Sequence, residues 1–220
     1  MVDKSKKVGI LLYDDVNHRD VANVGDVFSL VASSELEKSL ALYKRGLPRK
    51  KLFQLVTVSE KGSSVMTQSG FWLQPMYSFA NAPELDIIII PGGTLGAINT
   101  IIHNSITVNW LKKYSYVENV GSIGLGTVLL AEAGLLNKRK AVVQSISKNT
   151  MQSMYPDVDF VVNSNLVEDG NIITASGFEA GKNIALHIIK KIYGENVERF
   201  TQKNVEQGSL VKEYIDSQIY

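Results

Sequence analysis

Residues Val117–Leu136, VENVGSIGLGTVLLAEAGLL, constrain what this chain can fold into more than any other stretch. An apolar run meets three closely spaced glycines, Gly121, Gly124 and Gly126, and helical periodicity takes over near Thr127. The segment reads as a short buried strand, a sharp turn and a helix. In α/β enzymes such a strand–turn–helix presents a nucleophile on the turn, with the helix N-terminus behind it favouring negative charge. Here the turn residue is Gly124, which has no side chain. The backbone of a catalytic elbow is written out without its reactive atom.

The rest of the chain alternates in the same way. Apolar runs that predict buried parallel strands are Lys7–Tyr13, Leu52–Ser59, Leu85–Ile90 and Val117–Ile123. Shorter candidates are Ala141–Gln144, Phe160–Val162 and Ile172–Ala175, with a turn at Glu168–Asn171 before the last. Apolar spacing predicts helices over Val21–Lys44, Leu95–Ile102, Ile106–Tyr114, Thr127–Ala133, Ser147–Met154 and Gly181–Tyr193. Strands alternating with helices imply a mostly parallel central sheet covered on both faces, an α/β three-layer sandwich. No linker or repeat interrupts it. The expectation is a single domain over residues 1–220, with a core at about 7–193 and a polar helical tail at about 194–220. In such sheets ligands bind at the carboxyl ends of the strands. Four such ends carry small or polar residues: Asp14–Asp20, Pro91–Thr94, Gly121–Gly126 and Gln144–Ser145. They are expected to meet at one crevice.

Composition narrows the chemistry. The 220 residues contain no cysteine, which removes disulfides, thiolate metal sites and thiol catalysis together. Three scattered histidines, His18, His103 and His187, argue against a zinc site, and no metal or cofactor is expected. A formal net charge of +1 argues against a nucleic-acid-binding surface. The basic run from Lys44 to Lys51 reads as a solvated helix end and loop. No apolar stretch approaches the length of a membrane span, and the N-terminal run fits a buried strand better than a signal segment. A cytoplasmic protein is expected. The glycines of the elbow do not match a dinucleotide fingerprint.

Several strings, in order and spacing, resemble the ThiJ/PfpI superfamily, most closely its isonitrile hydratase-like branch and the ligand domains of AraC-type regulators. They are Val8–Tyr13, Asp20 before Val27-Phe28, Thr57–Glu60, Ser78–Asp86, Pro91-Gly92-Gly93, Leu129–Leu136, Asp169–Thr174 and Ala185-Leu186-His187. The resemblance implies a flavodoxin-like sandwich with a glutamine amidotransferase-like fold, and a homodimer. It also implies a site in which an elbow cysteine attacks substrate, an upstream acid handles a proton, and backbone N–H groups stabilise developing charge.

Against that pattern, the elbow cysteine aligns with Gly124, the following threonine with Leu125, and the histidine after the next strand with Gln144. Asp20 matches the acid, but the Gly-Pro that follows it is Asn23-Val24. Several coordinated losses at one site look like divergence rather than a single inactivating change. Ser122 and Thr127 flank the turn, but without a nearby base they are poor nucleophiles; Thr127 suits a helix cap. Asp20 is either the remaining catalytic carboxylate or a residue favoured by a helix dipole. His18 tempts a His–Asp pairing but reads as a solvated loop histidine, His187 as a structural one and His103 as surface. Tyr13, Trp72, Tyr77 and Phe79 are candidates for the crevice or a dimer seam. The expectation is a pseudoenzyme binding a small molecule or protein partner at the former nucleophile crevice, through Gly92, Gly93, Leu125, Gly126, Gln144 and Ser145. The alternatives are a hydratase or hydrolase using Asp20 and a bound water, and a ligand-sensing domain whose DNA-binding module would come from another chain.

Overall fold

The structure, a computed structural model, describes residues 5–31 and 52–207. In chain order the strands are β1 (Lys6–Leu11), β2 (Phe53–Ser59), β3 (Val65–Met66), β4 (Trp72–Leu73), β5 (Tyr77–Ser78), β6 (Ile87–Ile90), β7 (Asn119–Ile123), β8 (Lys140–Val142), β9 (Asp159–Val161), β10 (Leu166–Asp169) and β11 (Ile172–Ala175). The helices are α1 (His18–Ser29), α2 (Leu95–Ile102), α3 (Ser105–Lys112), α4 (Gly126–Glu132), α5 (Ser145–Met154), α6 (Ala180–Tyr193) and α7 (Glu195–Gln207).

Seven strands form the central sheet in the order β10-β11-β7-β6-β1-β2-β5, and within it only β10 runs antiparallel to its neighbour. Strand β6 shows why it must lie inside. All four isoleucines are buried, and the period of a strand sends alternate side chains to opposite faces. Ile88 and Ile90 enter the core built with α2, α3 and α4, through Ile98, Leu111 and Leu129. Ile87 and Ile89 enter the core built with α1 and α6, through Val27, Phe28 and Ile184. A strand apolar on both faces is stable only between two helical layers, and the α/β sandwich read from the sequence is the one observed.

The differences lie at edges and ends. Helix α1 starts at His18, earlier than the apolar spacing indicates, because the Asn17 side chain caps it by accepting the Arg19 N–H at 3.1 Å. Described helix ends at Ser29; the remainder of the expected Val21–Lys44 helix, and the basic run up to Lys51, lie outside the described residues. The polar tail forms α7, with residues 208–220 outside. Strands β3, β4 and β5 are too short to leave a periodic signal, and β10 takes up Glu168 and Asp169, which the sequence suggests as a turn. The turn is made by Gly170 and Asn171, with Gly170 at φ +66°.

Strands β8 and β9 form a separate two-stranded parallel pair. It is held to the sheet edge by three donors. Arg139 Nη1 reaches the Asp169 carbonyl at 2.8 Å, and the Lys140 N–H reaches Asp169 Oδ2 at 2.9 Å. The third is buried: the Val142 N–H donates to Thr174 Oγ1 at 2.8 Å. Thr174→Val keeps the shape but strands that N–H in an apolar setting, at an expected cost of about 1–3 kcal/mol in a denaturant titration. An unchanged midpoint contradicts this role.

Candidate functional site

The site is built where the carboxyl ends of β1, β6, β7 and β11 converge. After β7 the chain turns at Gly124, φ +53°, and enters α4 with no side-chain cap. That left-handed backbone is the strained geometry of a nucleophile elbow, and glycine adopts it without a Cβ penalty. The Gly124 N–H donates to the Ala175 carbonyl at 2.8 Å, pinning the elbow to β11. A Cβ placed on Gly124 would meet no atom within 4 Å. The position where a nucleophile would stand opens onto free space.

The floor is packed tightly. A Cβ on Gly126 would lie 2.5 Å and 2.6 Å from the Ile90 and Pro91 carbonyl oxygens, so the first turn of α4 sits directly on the loop after β6. A Cβ on Gly92 would lie 3.1 Å from Asp20 Oδ2 and 3.2 Å from the Ile123 carbonyl, with the Leu125 nitrogen at 3.8 Å. Asp20, the Pro-Gly-Gly loop and the elbow are therefore mutual neighbours. Tyr13, buried, braces the loop from β1: its hydroxyl donates to the Pro91 carbonyl at 2.8 Å, and its ring fills the place of a Gly93 side chain. Burial and the Asp20 carboxyl beside it hold the Tyr13 hydroxyl well above its usual range, so it stays a neutral donor.

Asp20 is 4% exposed in the first turn of α1. Its Oδ2 accepts the Gly92 N–H at 3.0 Å, while Oδ1 takes no hydrogen bond from any described residue. Burial raises its pKa above the usual carboxylate value, and the Gly92 hydrogen bond, Arg19 and His18 oppose that rise without cancelling it. A carboxyl in this state can keep a proton on the free oxygen and donate it to a carbonyl or nitrogen, or accept one from water.

Ser122 and Thr127 lie beneath the elbow, both fully buried, with their hydroxyls 2.9 Å apart and hydrogen-bonded to each other. They tie strand to helix and do not face the open space. Gln144 and Ser145 are exposed at the start of α5, and no hydrogen bond among the described residues joins them to Asp20, Gly92 or the elbow. His18 is the first residue of α1 rather than a loop residue, half-buried with its ring edge-on to Phe71. His187 lies 2.6 Å from Glu168, and His103 is exposed. Of the undecided aromatics, Tyr13 alone reaches the crevice loop: Phe79 stacks on Trp110, Trp72 is exposed and Tyr77 lies in the edge strand β5.

The loop after β11, in which the sequence suggests only a Ser176-Gly177 turn ahead of a helix start at Glu179, also reaches the elbow. Residues Ser176–Glu179 follow the Ala175 carbonyl that holds the elbow, and Gly181 then packs against α1, where a Cβ would lie 3.2 Å from the Asp20 carbonyl. Phe178, on this loop, covers the Arg19 guanidinium at 4.0 Å. The signal available was a short one: Ser-Gly after an apolar run, like the other strand ends. A separate depression of about 220 Å³ lies between α1, α6 and α7, lined by Asp26, Glu179, Lys182 and Glu206, away from the elbow. No described cluster of His, Cys, Asp or Glu could hold a metal ion.

Two outcomes test this geometry. Gly126→Ala forces a methyl into the Ile90 and Pro91 carbonyls and is expected to destabilise the fold by about 3 kcal/mol, or to prevent folding; a wild-type melting temperature contradicts the packing. Asp20→Asn tests the buried carboxyl. With its pKa raised on folding, the folded state holds the proton more tightly than the unfolded chain. That stabilisation is complete below the unfolded value, about pH 4, and is lost as pH rises through the folded value. Denaturation of both proteins is therefore expected to show the stability of wild type relative to Asp20→Asn falling as pH rises from about 4 toward neutrality. A flat or rising difference contradicts it.

Comparison with known proteins agrees with this architecture. Isonitrile hydratase from Pseudomonas putida is 23% identical over 202 residues, covering 91% of this chain and 78% of the hydratase. The HTH-type transcriptional regulator GbdR of Pseudomonas aeruginosa is 26% identical over 173 residues; these are 78% of this chain but only 46% of the regulator. A ThiJ/PfpI family protein from Pseudomonas syringae superposes with a TM-score of 0.76 at 18% identity, over 92% of this chain and 75% of that one. The DJ-1/PfpI family pattern matches residues 6–191, nearly all of the described core, and the chain belongs to the DJ-1/PfpI family.

Proposed function

We propose that this protein is a catalytically degenerate DJ-1/PfpI member that binds a small molecule, without covalent chemistry, in the crevice between Gly124 and Asp20. The observation that carries the reading is the pairing of free space at Gly124 with a buried, incompletely hydrogen-bonded carboxyl on Asp20. The chain has no thiol to attack a substrate, and the hydroxyls nearest the elbow are committed to each other. A nucleophile without an adjacent base contributes little, and no histidine is hydrogen-bonded to either hydroxyl. What remains suits recognition. Small polar compounds such as carbonyls fit, since the free oxygen of Asp20 can hydrogen-bond a ligand and a glycine lets the ligand approach the backbone.

Asp20 also favours a second reading, in which the carboxyl activates a water for hydration of an isonitrile or a related small molecule, as the resemblance to isonitrile hydratase suggests. The likeness to part of a transcriptional regulator supports a third, a ligand-sensing role for the same crevice. In all three the family scaffold is used as a homodimer.

Backbone-amide NMR during titration with small carbonyl compounds tests the leading reading. Shifts are expected at Gly92, Gly124, Leu125 and Gly126, and Gly124→Asn should abolish them, because asparagine tolerates the left-handed backbone while filling the space. Isonitrile incubated with the protein should yield N-formamide no faster than with buffer. Formamide production that Asp20→Ala removes would replace this reading with the hydratase one. Shifts confined to the depression between α1, α6 and α7 would overturn both.

A further inference from the structure

Two neighbouring side chains carry nitrogen atoms that the fold buries and leaves without hydrogen-bond partners among the described residues: His18 Nδ1 and Arg19 Nε. Both belong to the first turn of α1, immediately before Asp20. Leaving such groups unpaired costs free energy, more when the group is charged. Arg19 forms no ion pair with any described carboxylate other than the electrostatic influence it exerts on Asp20. The Phe178 ring lies over its guanidinium at 4.0 Å, and that ring is itself 67% exposed.

The placement is specific. Phe178 sits between Ala175, which binds the elbow N–H, and Gly181, which packs on the Asp20 backbone. The Arg19–Phe178 stack thus joins the turn that carries Asp20 to the loop after β11. His18, on the same turn, meets Phe71, 60% exposed, from the start of the β4 arm. A cation–π contact with an exposed ring is weak, a small return for fixing a long side chain and exposing a large ring. A stacked guanidinium, by contrast, is held flat with its fork of donors oriented, the arrangement that recognises a carboxylate in bidentate fashion.

We propose that Arg19, oriented by Phe178, is the specificity residue of the crevice and selects an anionic ligand, a small carboxylate whose carbonyl end lies beside Gly124 and Asp20. This rests on the crevice being a binding site, and it adds the charge of the ligand. Asp20 and Arg19 then divide the work. The carboxyl with the free oxygen addresses a neutral carbonyl, and the guanidinium addresses the carboxylate.

The test uses pyruvate and its neutral isostere pyruvamide as probes, followed by amide NMR and calorimetry with wild type, Arg19→Gln, Arg19→Lys and Phe178→Leu. Pyruvate is expected to bind wild type about tenfold or more tightly than pyruvamide, the amount that one charge-assisted pair contributes. Arg19→Gln should remove that preference, bringing the ratio of the two affinities to about one; Arg19→Lys and Phe178→Leu should each retain part of it. Equal binding of the two probes, or a pyruvate affinity indifferent to Arg19→Gln, overturns the proposal while leaving the crevice as a binding site. Failure of pyruvate to bind in tens of millimolar, with a neutral carbonyl compound still shifting Gly124, also overturns it alone. Absence of any shift at Gly92, Gly124 and Gly126 with every carbonyl compound overturns the crevice reading itself.

Discussion

The close approach of two backbones governs this site. The first turn of α4 lies on the Ile90 and Pro91 carbonyls with no room for a Cβ at Gly126, and the neighbouring loop brings Gly92 between the Asp20 carboxyl and the Ile123 carbonyl. These contacts depend on glycine at two positions, and they fix where α4, the loop after β6 and α1 can stand. Every other feature follows from them. The elbow turns at Gly124 because β7 is held to β11 while α4 is held to the β6 loop. Asp20 is buried because the Gly92 N–H is there to receive it.

The consequence is a scaffold whose shape does not depend on the reactive atom. A family that places a nucleophile at an elbow needs the left-handed backbone and the tight floor to aim it. Both are present here with glycine at the apex, and the space where a side chain would stand is open. The acid partner persists too, with one oxygen free. Without a thiol, what stands at the elbow is open space beside Gly124 and a buried carboxyl on Asp20. On the turn that carries Asp20, Arg19 stacks on Phe178 and His18 meets Phe71 edge-on. These elements come from the first turn of α1 and from loops, where residues can change without disturbing either apolar core.

Much of this was legible in the chain. Ile87–Ile90, apolar at every position, could only be a strand buried on two faces, and the glycines at 121, 124 and 126 marked the elbow. Asp20, Gly92 and Gly124 were identified from the sequence and are brought together by the fold. What was not legible arises from contacts between distant segments. The start of α1 depends on the Asn17 cap, which shifted His18 from loop to helix. The pairing of Arg19 with Phe178 joins residues far apart in sequence, with no local pattern to announce it. Gln144 was singled out by alignment with the family's histidine. The structure places it at the exposed start of α5, beyond the small β8–β9 pair, where local patterning gives no guide to orientation. Strands of two residues leave no periodicity to detect.

A crystal structure of the wild-type protein grown with pyruvate tests the central claim most directly. The expected result is non-covalent density filling the space beside Gly124, with the ligand carbonyl within hydrogen-bond distance of Asp20 Oδ1 and the loop after β6 unmoved. A ligand bonded covalently to the protein, or bound only in the depression between α1, α6 and α7 with the Gly124 space empty, would contradict it.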